Sequence, residues 1–418
     1  MGKGKQPRFA SLVRIHQMGF TGMFEPDPIV IIAAARTPIG GFQGEFKNLA
    51  AASLGAVAAK AVLARSDIRP EAIDELIYGC VLPAGQGQAP ARQAALAAGL
   101  TEAATCTTVN KMCGSGMKAI MLAHDAIAAG SARIVLAGGM ESMTNAPYLL
   151  DRARSGYRMG HGRLLDHMFI DGLEDAYGDH LPMGAFAEDC AESFQFTRAA
   201  QDSFAVASLE RAQQAIRDGS FVKEIAPVAV KNGKDEAKLV AQDEQPLKAR
   251  LDKIPSLKPA FRENGTVTAA NSSSISDGAA AVLLARRSEA EARGIAPLAV
   301  IRAHASHAQA PRQFPTAPIG ALRKLMDKTG WSLEEVDLFE INEAFAVVTM
   351  AAMQELSLPH DKVNVHGGAC ALGHPIGASG ARIVVTLLAA LQKYGLKRGA
   401  AALCIGGGEA TALALEIP

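Results

Sequence analysis

The sequence predicts an α/β protein with a mostly parallel sheet that is covered by helices on both faces. Apolar, strand-like runs such as residues 29–33 (IVIIA) alternate along the chain with stretches of helical spacing such as residues 50–64, and that alternation is typical of a doubly covered sheet. The 40 glycines, many alanines and only 5% aromatic residues suit close packing of helices on strands. Finally, parts of the second half of the chain resemble the first. We therefore expect two similar halves.

The first half shows strands and helices in alternation, ending in glycine-rich loops where ligands usually bind in such folds. Its expected elements are a strand at 28–33, a helix at 50–64, a strand at 73–79, a helix at 89–98, a helix after Cys113 and a strand at 132–139.

A polar, broken stretch then interrupts this pattern. It covers about residues 142–265, contains helical spacing from 198 to 218, and is expected to be an ordered insertion. An apolar strand at 280–284 returns the chain to the sheet. We therefore expect an N-terminal domain over residues 27–290 and a C-terminal domain over residues 291–418.

The second half repeats landmarks of the first. Residues 336–341 (VDLFEI) resemble 73–78 (IDELIY), and the end of the last apolar strand, 404–409 (CIGGGE), resembles 136–141 (LAGGME). A duplication of this kind predicts two α/β halves whose loops meet at one cleft.

Charge and cysteine content exclude several classes of function. Lys plus Arg and Asp plus Glu both number 42, so no excess charge attracts nucleic acid or an anionic membrane. No apolar run approaches the ~20 residues that a membrane span needs. The six cysteines form no CxxC pair, so neither a disulfide framework nor a metal site is predicted. We expect free thiols and a cytoplasmic protein.

The first 26 residues differ from the rest of the chain. They carry four basic residues before Glu25, the first acidic one. A transit peptide would be basic too, but this segment is poor in serine and lacks an amphipathic pattern. We therefore expect a basic leader, residues 1–26, that is a disordered extension.

Cys113 is the first candidate for chemistry. It lies in residues 109–120 (VNKMCGSGMKAI), where a glycine-rich turn leads into a helix with apolar residues three and four apart. Backbone N–H groups and the helix dipole at such a position favour the thiolate form of a cysteine. Two alternatives remain. Residues 114–119 fit a loose dinucleotide-binding pattern, although no apolar strand leads straight into them. Cys113 could also be a small buried residue without a chemical role.

Three downstream segments place unusual residues after strands. They are 342–345 (NEAF), 367–380 (GGACALGHPIGASG) and 404–408 (CIGGG). His374 precedes a predicted helix at 380–391, where a neutral imidazole is a competent general base, although a lone histidine is as often a buried structural residue. Cys404 on its own is more often a core residue. We assign Cys370 no chemical role.

Taken together, these segments resemble the thiolase family. Residues 110–116 resemble its nucleophile loop, 342–345 its asparagine motif, 367–380 its histidine motif and 404–408 its second-cysteine motif, and the resemblance extends from about Pro28 to the end of the chain. It implies duplicated mixed-sheet α/β halves in a layered αβαβα arrangement. It also implies ping-pong acyl transfer from acyl-CoA, with coenzyme A as substrate and product and no tightly bound cofactor.

The resemblance also implies the role of each catalytic residue. Cys113 would carry the acyl group as a thioester with His374 as its base, and Cys404 would exchange a proton with the methyl carbon of a second acetyl-CoA. One oxyanion would face His374 and a water held by Asn342. The other would face the backbone N–H groups of Cys113 and Gly406.

Substrate contacts are implied at Ser273, Met183 and Phe345. Ser273 matches the family's serine beside the pantetheine chain; the alternative is a serine that caps a following helix. Many short-chain members carry a histidine immediately before the pair that corresponds to Met183 and Gly184, whereas this chain has Pro182. We therefore predict acetyl-CoA C-acetyltransferase activity, with a broader 3-ketoacyl-CoA thiolase as the alternative.

Other classes fit the motifs less well. Related ketoacyl synthases resemble a Cys-His-His or Cys-His-Asn arrangement without a second catalytic cysteine, so Cys404 argues against them. A non-catalytic acyl-CoA or lipid carrier would be expected to lose a reactive residue. The resemblance further implies a homo-oligomer, either a dimer or a tetramer, with residues 142–172 where tetrameric members carry an assembly loop.

Overall fold

A computed structural model describes residues 1–2, 27–231 and 236–418. The predicted basic leader, residues 1–26, lies outside the described residues apart from its first two.

Helices and strands alternate as the sequence predicts. The strands are β1 (Ile29–Arg36), β2 (Gly40–Gly41), β3 (Glu75–Gly79), β4 (Thr105–Val109), β5 (Ile134–Ser142), β6 (Tyr148–Leu149), β7 (Leu165–Asp166), β8 (Val228–Val230), β9 (Lys238–Val240), β10 (Ser276–Arg286), β11 (Ala299–Ala308), β12 (Leu338–Ile341), β13 (Arg398–Ile405) and β14 (Glu409–Glu416). The helices are α1 (Ala51–Ser66), α2 (Pro90–Ala98), α3 (Ser115–Ala128), α4 (Met183–Ser193), α5 (Arg198–Arg217), α6 (Glu244–Lys248), α7 (Arg287–Ala292), α8 (Ala317–Thr329), α9 (Ala346–Leu356), α10 (Ala369–Leu372) and α11 (Ile376–Tyr394).

The strand order is the same in the two halves. In the first half it is β4-β3-β5-β10-β1, with β4, β3 and β5 parallel and the next two pairs antiparallel. The second half runs β12-β13-β14-β11 with the matching directions. A single parallel bridge between Phe339 and Val363 stands where the first half has β4. The predicted duplication is therefore confirmed. The expectation of a mostly parallel sheet was wrong, because six of the nine strand pairs that the described residues form in the large sheet are antiparallel.

A β-bulge recurs at the fourth residue of the first strand in each half. It lies between Ile31 and Ala33 in β1 and between Ile301 and Ala303 in β11. The two bulges mark equivalent positions in the two halves. When the strand pairings are followed from each bulge to the neighbouring strands, Met140 of β5 corresponds to Cys404 of β13. Our alignment of residues 136–141 with 404–409 was therefore wrong by four positions, because the shared glycines fall at different depths along the two strands.

Three buried apolar clusters define five layers. One joins α1 and α2 to the outer face of the first half, another joins α8 and α9 to the outer face of the second, and the third surrounds α3 and α11 between the two halves. The halves are linked by short pairing between β1 and β11. This is the expected αβαβα arrangement, and it places the N-termini of α3 and α11 side by side at the centre.

Helix α11 is longer than the predicted 380–391. By length and composition it could cross a membrane, so our statement that no apolar run approaches that length was wrong, but 83% of its most apolar 18-residue window is buried inside the protein. Its apolar character is therefore that of a core helix.

The sequence did not predict strand β4, whose residues Thr105–Val109 are half-exposed and rich in threonine. This strand does lead towards the Cys113 turn, so one reason for dismissing a dinucleotide-binding loop was wrong.

Candidate active site

A tight turn places Cys113 just before helix α3. Met112 has a left-handed backbone with φ of 47°, which is uncommon for a residue with a side chain. Ser115 holds this turn from inside the helix, since its hydroxyl donates to Met112 O at 2.6 Å and accepts from Lys111 N–H at 2.8 Å. Gly130, which adopts a left-handed φ of 77°, follows the last turn of the helix and ends it.

The pKa of Cys113 differs from our expectation. Burial raises the pKa of its thiol to about 11, and the nearby Glu141 carboxylate adds to the rise, while the backbone N–H groups of Gly406 and of Cys113 itself oppose it. The expected lowering was therefore wrong, because desolvation outweighs the helix N-terminus. Cys113 is a thiol in the free protein and needs a base.

Helices α3 and α11 cross at glycines. A Cβ atom on Gly116 would lie 2.8 Å from the backbone nitrogen of Ala381, and a Cβ on Gly380 would collide with Met117. Only glycine allows this approach, which brings the two helix N-termini, and so the loops of Cys113 and His374, to the same end of the central layer.

His374 is buried, and hydrogen bonds fix its tautomer. The Ser379 hydroxyl donates its one proton to Pro375 O at 2.9 Å, so the 2.5 Å contact between Ser379 Oγ and His374 Nδ1 is made by Nδ1–H. His374 Nε2 is then left as a lone pair, and it has no partner among the described residues. Burial and, to a smaller extent, the charge of Arg382 lower the pKa of His374 to about 3. The imidazole is therefore neutral, as a general base must be.

Asn342 offers a donor beside this base. It is 1% exposed at the end of β12, its Oδ1 accepts from Arg382 Nη2 at 3.4 Å, and its Nδ2 has no partner among the described residues. Arg382 also pairs with buried Glu340 at 3.1 Å. Because Arg382 engages the oxygen of the Asn342 amide, the nitrogen is free to donate.

Cys404 and Gly406 lie at the end of β13, close to Cys113. The pKa of Cys404 is well above its ordinary value because of burial and, next, the negative charge that Cys113 would carry. The backbone N–H of Gly406 lowers the pKa of Cys113, so it lies near the Cys113 sulfur. The structure thus brings together the predicted Cys113, Cys404 and Gly406.

Ser273 joins the asparagine and histidine motifs. Its N–H donates to Ala344 O at 2.9 Å, and the carbonyl of the next residue, Ser274, accepts from His374 N–H at 3.2 Å. No helix follows Ser273, because strand β10 begins at Ser276. The capping alternative for Ser273 was therefore wrong.

Met183 and Phe345 belong to an apolar wall of this site. Both pack in a cluster that contains buried Cys404, and a Cβ on Gly406 would lie 3.6 Å from Met183 Sδ. Pro182 precedes the first turn of α4. Tyr177 borders the same end, since a Cβ on Gly407 would lie 3.3 Å from its hydroxyl.

Four functional positions escaped the sequence reasoning. Ser379 sits five residues after His374 in the glycine-rich motif, so its position was visible but not its role. Glu343 ties the two motifs together, accepting from Asn364 Nδ2 at 2.8 Å and Cys370 N–H at 3.1 Å. Arg382 and Tyr177 carried no sequence signal, because their contacts span distant segments.

Fold and site together are those of a cysteine-dependent α/β enzyme with a duplicated core. Residues 29–288 match the thiolase N-terminal domain, and residues 295–417 match the thiolase C-terminal domain. The chain belongs to the thiolase family. The dinucleotide-binding alternative for the Cys113 loop is thereby set aside.

Individual relatives agree over almost the whole chain. Acetyl-CoA acetyltransferase 2 of Arabidopsis thaliana is 49% identical over 94% of this chain and 98% of its own. The crystal structure of the Bacillus anthracis acetyl-CoA acetyltransferase has a TM-score of 0.91 at 40% identity, covering 94% of this chain and 99% of that one. A thiolase from Ascaris suum in complex with coenzyme A has a TM-score of 0.88 at 41% identity, covering 94% of this chain and 100% of the other.

Proposed function

We propose that this protein is an acyltransferase that catalyses the reversible Claisen condensation of two acetyl-CoA molecules to acetoacetyl-CoA and coenzyme A. One observation carries the proposal: His374 Nε2, an acceptor, and Asn342 Nδ2, a donor, are buried without partners among the described residues, in the site that holds Cys113 and Cys404. Buried polar groups are normally paired. The similarity to acetyl-CoA acetyltransferases supports the substrate.

The first half-reaction uses His374 as a base. As the Cys113 sulfur attacks the thioester carbonyl of acetyl-CoA, its proton moves to His374 Nε2, which the bond to Ser379 keeps unprotonated beforehand. The tetrahedral oxyanion forms beside the N–H groups of Cys113 and Gly406. Its collapse breaks the bond to coenzyme A, whose thiolate takes the proton of Cys404. Acetyl-Cys113, a protonated His374 and a Cys404 thiolate remain.

The second half-reaction uses Cys404 as the carbon base. Because its pKa is raised well above the usual value, its thiolate is a strong base, as removal of a proton from a methyl carbon requires. His374 Nε2–H now donates to the enolate oxygen, together with a water held by Asn342 Nδ2. The enolate carbon attacks acetyl-Cys113, and the released sulfur regains its proton from His374, so all three groups return to their starting forms.

Oxyanion stabilisation accounts for a large part of the expected rate. Each preorganised donor in a buried site contributes about 3 kcal/mol to the stability of the transition state. The backbone N–H of Gly406 lies near Cys113, as its effect on the Cys113 pKa indicates, and this nearness supports its role as a donor.

Acylation of Cys113 tests the proposal. We expect acetyl-CoA to leave an acetyl group on the Cys113 peptide, detected by mass spectrometry, in the parent protein and in Cys106→Ser, a control on the half-exposed strand β4. Cys113→Ser should lose the adduct, and its acetoacetyl-CoA thiolysis should fall by at least about 10³-fold. A parent protein with neither adduct nor thiolysis would be a non-catalytic acyl-CoA-binding protein instead.

A broader 3-ketoacyl-CoA thiolase is the second candidate, favoured by Pro182 and by the apolar wall of Met183 and Phe345. The thiolysis rate against 3-ketoacyl-CoA chain length separates the two. We expect kcat/KM to fall steeply for substrates longer than acetoacetyl-CoA. A flat profile would establish the broader activity.

Several expectations stay predictions. The roles of Ser273, Met183 and Phe345 in substrate binding, the domain boundary near residue 290, assembly as a dimer or tetramer, and a cytoplasmic location are among them. Coenzyme A serves in the proposal as substrate and product, with no further cofactor.

A further inference from the structure

A cluster of potential metal ligands lies away from the active site, where helix α3 meets strand β11. Asp125 Oδ1 is 3.2 Å from His124 Nδ1 and 2.9 Å from His304 Nε2. The two imidazole rings meet edge to face, with centroids 5.0 Å apart. Two imidazoles and a carboxylate thus converge from segments about 180 residues apart in sequence.

The spacing of these atoms fits coordination to one small cation. Ligand atoms bound at about 2.0–2.1 Å around a zinc ion are separated from one another by roughly 3.0–3.4 Å. The two measured separations are close to that range, and all three ligand atoms lie within 4.8 Å of one another. Only small side-chain rotations would be needed to exchange the present hydrogen bonds for metal bonds.

Exposure suits a metal as well. The side chains of His124, Asp125 and His304 are 21%, 54% and 16% exposed, which leaves an entry path and room for bound water.

We propose that His124, Asp125 and His304 form a binding site for one divalent transition-metal cation of the zinc type. Imidazole nitrogens select zinc, nickel, copper or cobalt over magnesium and calcium, which prefer all-oxygen ligands. A neighbouring cation, Lys328, is engaged by the backbone, since its Nζ donates to the carbonyl of His304 at 2.9 Å.

Such a site would connect the two halves of the protein. His124 and Asp125 belong to α3, the helix that begins after Cys113, whereas His304 belongs to the first strand of the second half. Because a cation that binds only the folded protein raises its stability, bound metal would strengthen the contact between the nucleophile helix and the second half.

Calorimetric titration with zinc chloride tests the proposal on the full chain. We expect Asp125→Asn and His304→Ala each to weaken one zinc-binding step by at least about tenfold and to lose the matching rise in Tm. His161→Ala, in an exposed loop, serves as the control and should bind zinc as the parent does. Magnesium chloride should give no comparable step.

Zinc also binds thiols, so the active-site cysteines will add a signal that is common to all four proteins, and only the difference between variants reports this site. Far-UV circular dichroism and acetoacetyl-CoA thiolysis show whether each variant is folded. If zinc affinity and the zinc-induced change in Tm are the same in the parent, Asp125→Asn and His304→Ala, the proposal is wrong, whatever the outcome for acyl transfer.

Discussion

The two halves of the molecule share a strand order but supply different parts of the candidate site. In the first half, the turn before α3 presents a partly exposed thiol, Cys113. In the second, the turn before α11 presents a buried imidazole, and the ends of β12 and β13 add Asn342 and Cys404. Duplication thus supplied two facing helix N-termini, and the side chains placed there divide nucleophile from proton transfer.

A serine at the same place in each central helix shows how one framework serves both tasks. Ser115 and Ser379 each precede the glycine at the helix crossing. The Ser115 hydroxyl accepts a backbone N–H and so holds the shape of the Cys113 turn, whereas the Ser379 hydroxyl accepts His374 Nδ1–H and so holds a tautomer. In both halves the serine hydroxyl therefore fixes the conformation of the segment just before the helix, and only in the second half does that segment carry a proton-transfer group.

Among the substitutions that test the different contributions of the two halves, Asn342→Ala is expected to have the largest effect on activity. It removes the unpartnered Nδ2 donor, so kcat for condensation should fall by about 10²-fold. Acetylation of Cys113 should persist, because the first oxyanion is stabilised at Cys113 and Gly406. Steady-state kinetics with peptide mass spectrometry would show both; a kcat within threefold of the parent would contradict the role.

Gly116→Ala tests the helix crossing itself. Its Cβ would lie 2.8 Å from Ala381 N, and the overpacking should cost about 3 kcal/mol, against a gain of about 1 kcal/mol in helix propensity. The free energy of unfolding in urea should fall by about 2 kcal/mol. Gly130→Ala, which meets open space at a left-handed φ, should cost only about 1 kcal/mol. Equal stability of Gly116→Ala and the parent would refute close packing at the crossing.

Ser379→Ala should have a smaller effect, on rate and not on substrate binding. Without an acceptor for Nδ1–H, His374 is free to take either tautomer, so kcat should fall by about tenfold with KM unchanged. Ser131→Ala, on an exposed turn, provides the control. An unchanged kcat would show that the tautomer is held in some other way.

The pH dependence of Cys113 alkylation tests whether burial raises the pKa of this thiol, and it needs no substitution. Because its thiol pKa is raised to about 11, the thiolate fraction at pH 8 is about 10⁻³ and should increase about tenfold per pH unit up to pH 10. The rate of iodoacetamide labelling at Cys113, followed by mass spectrometry, should rise accordingly. A plateau below pH 9 would mean that the helix N-terminus prevails over burial after all.

Local patterns predicted the fold and singled out candidate residues that the structure brings together, and contacts between distant segments escaped them. Cys113, His374 and Cys404 stand in short glycine-rich motifs after strands or before helices, and the resemblance of those motifs to the thiolase family made these residues candidates. Strand β4 was missed because an edge strand with half-exposed threonines shows no apolar run.

Energetics were harder to predict than positions. The pKa of Cys113 depends on how deeply the assembled site buries it, which no local pattern reveals. Likewise, the hydrogen bond from Arg382 to Asn342 joins residues that are 40 positions apart in the sequence, so no local pattern predicts it. The first effect arises only once the two halves are packed together, and the second once α11 packs on β12 within the second half.

The division of labour between the halves is tested most directly with Cys404→Ala. The protein should be incubated with acetyl-CoA in D₂O while acetylation of Cys113, deuterium exchange at the acetyl methyl group and formation of acetoacetyl-CoA are measured together. We expect Cys113 of the Cys404→Ala protein to be acetylated still, while methyl exchange and condensation are lost. If Cys404→Ala instead condenses acetyl-CoA at close to the parent rate, or fails to acetylate Cys113 at all, the proposed separation of nucleophile from carbon base is wrong.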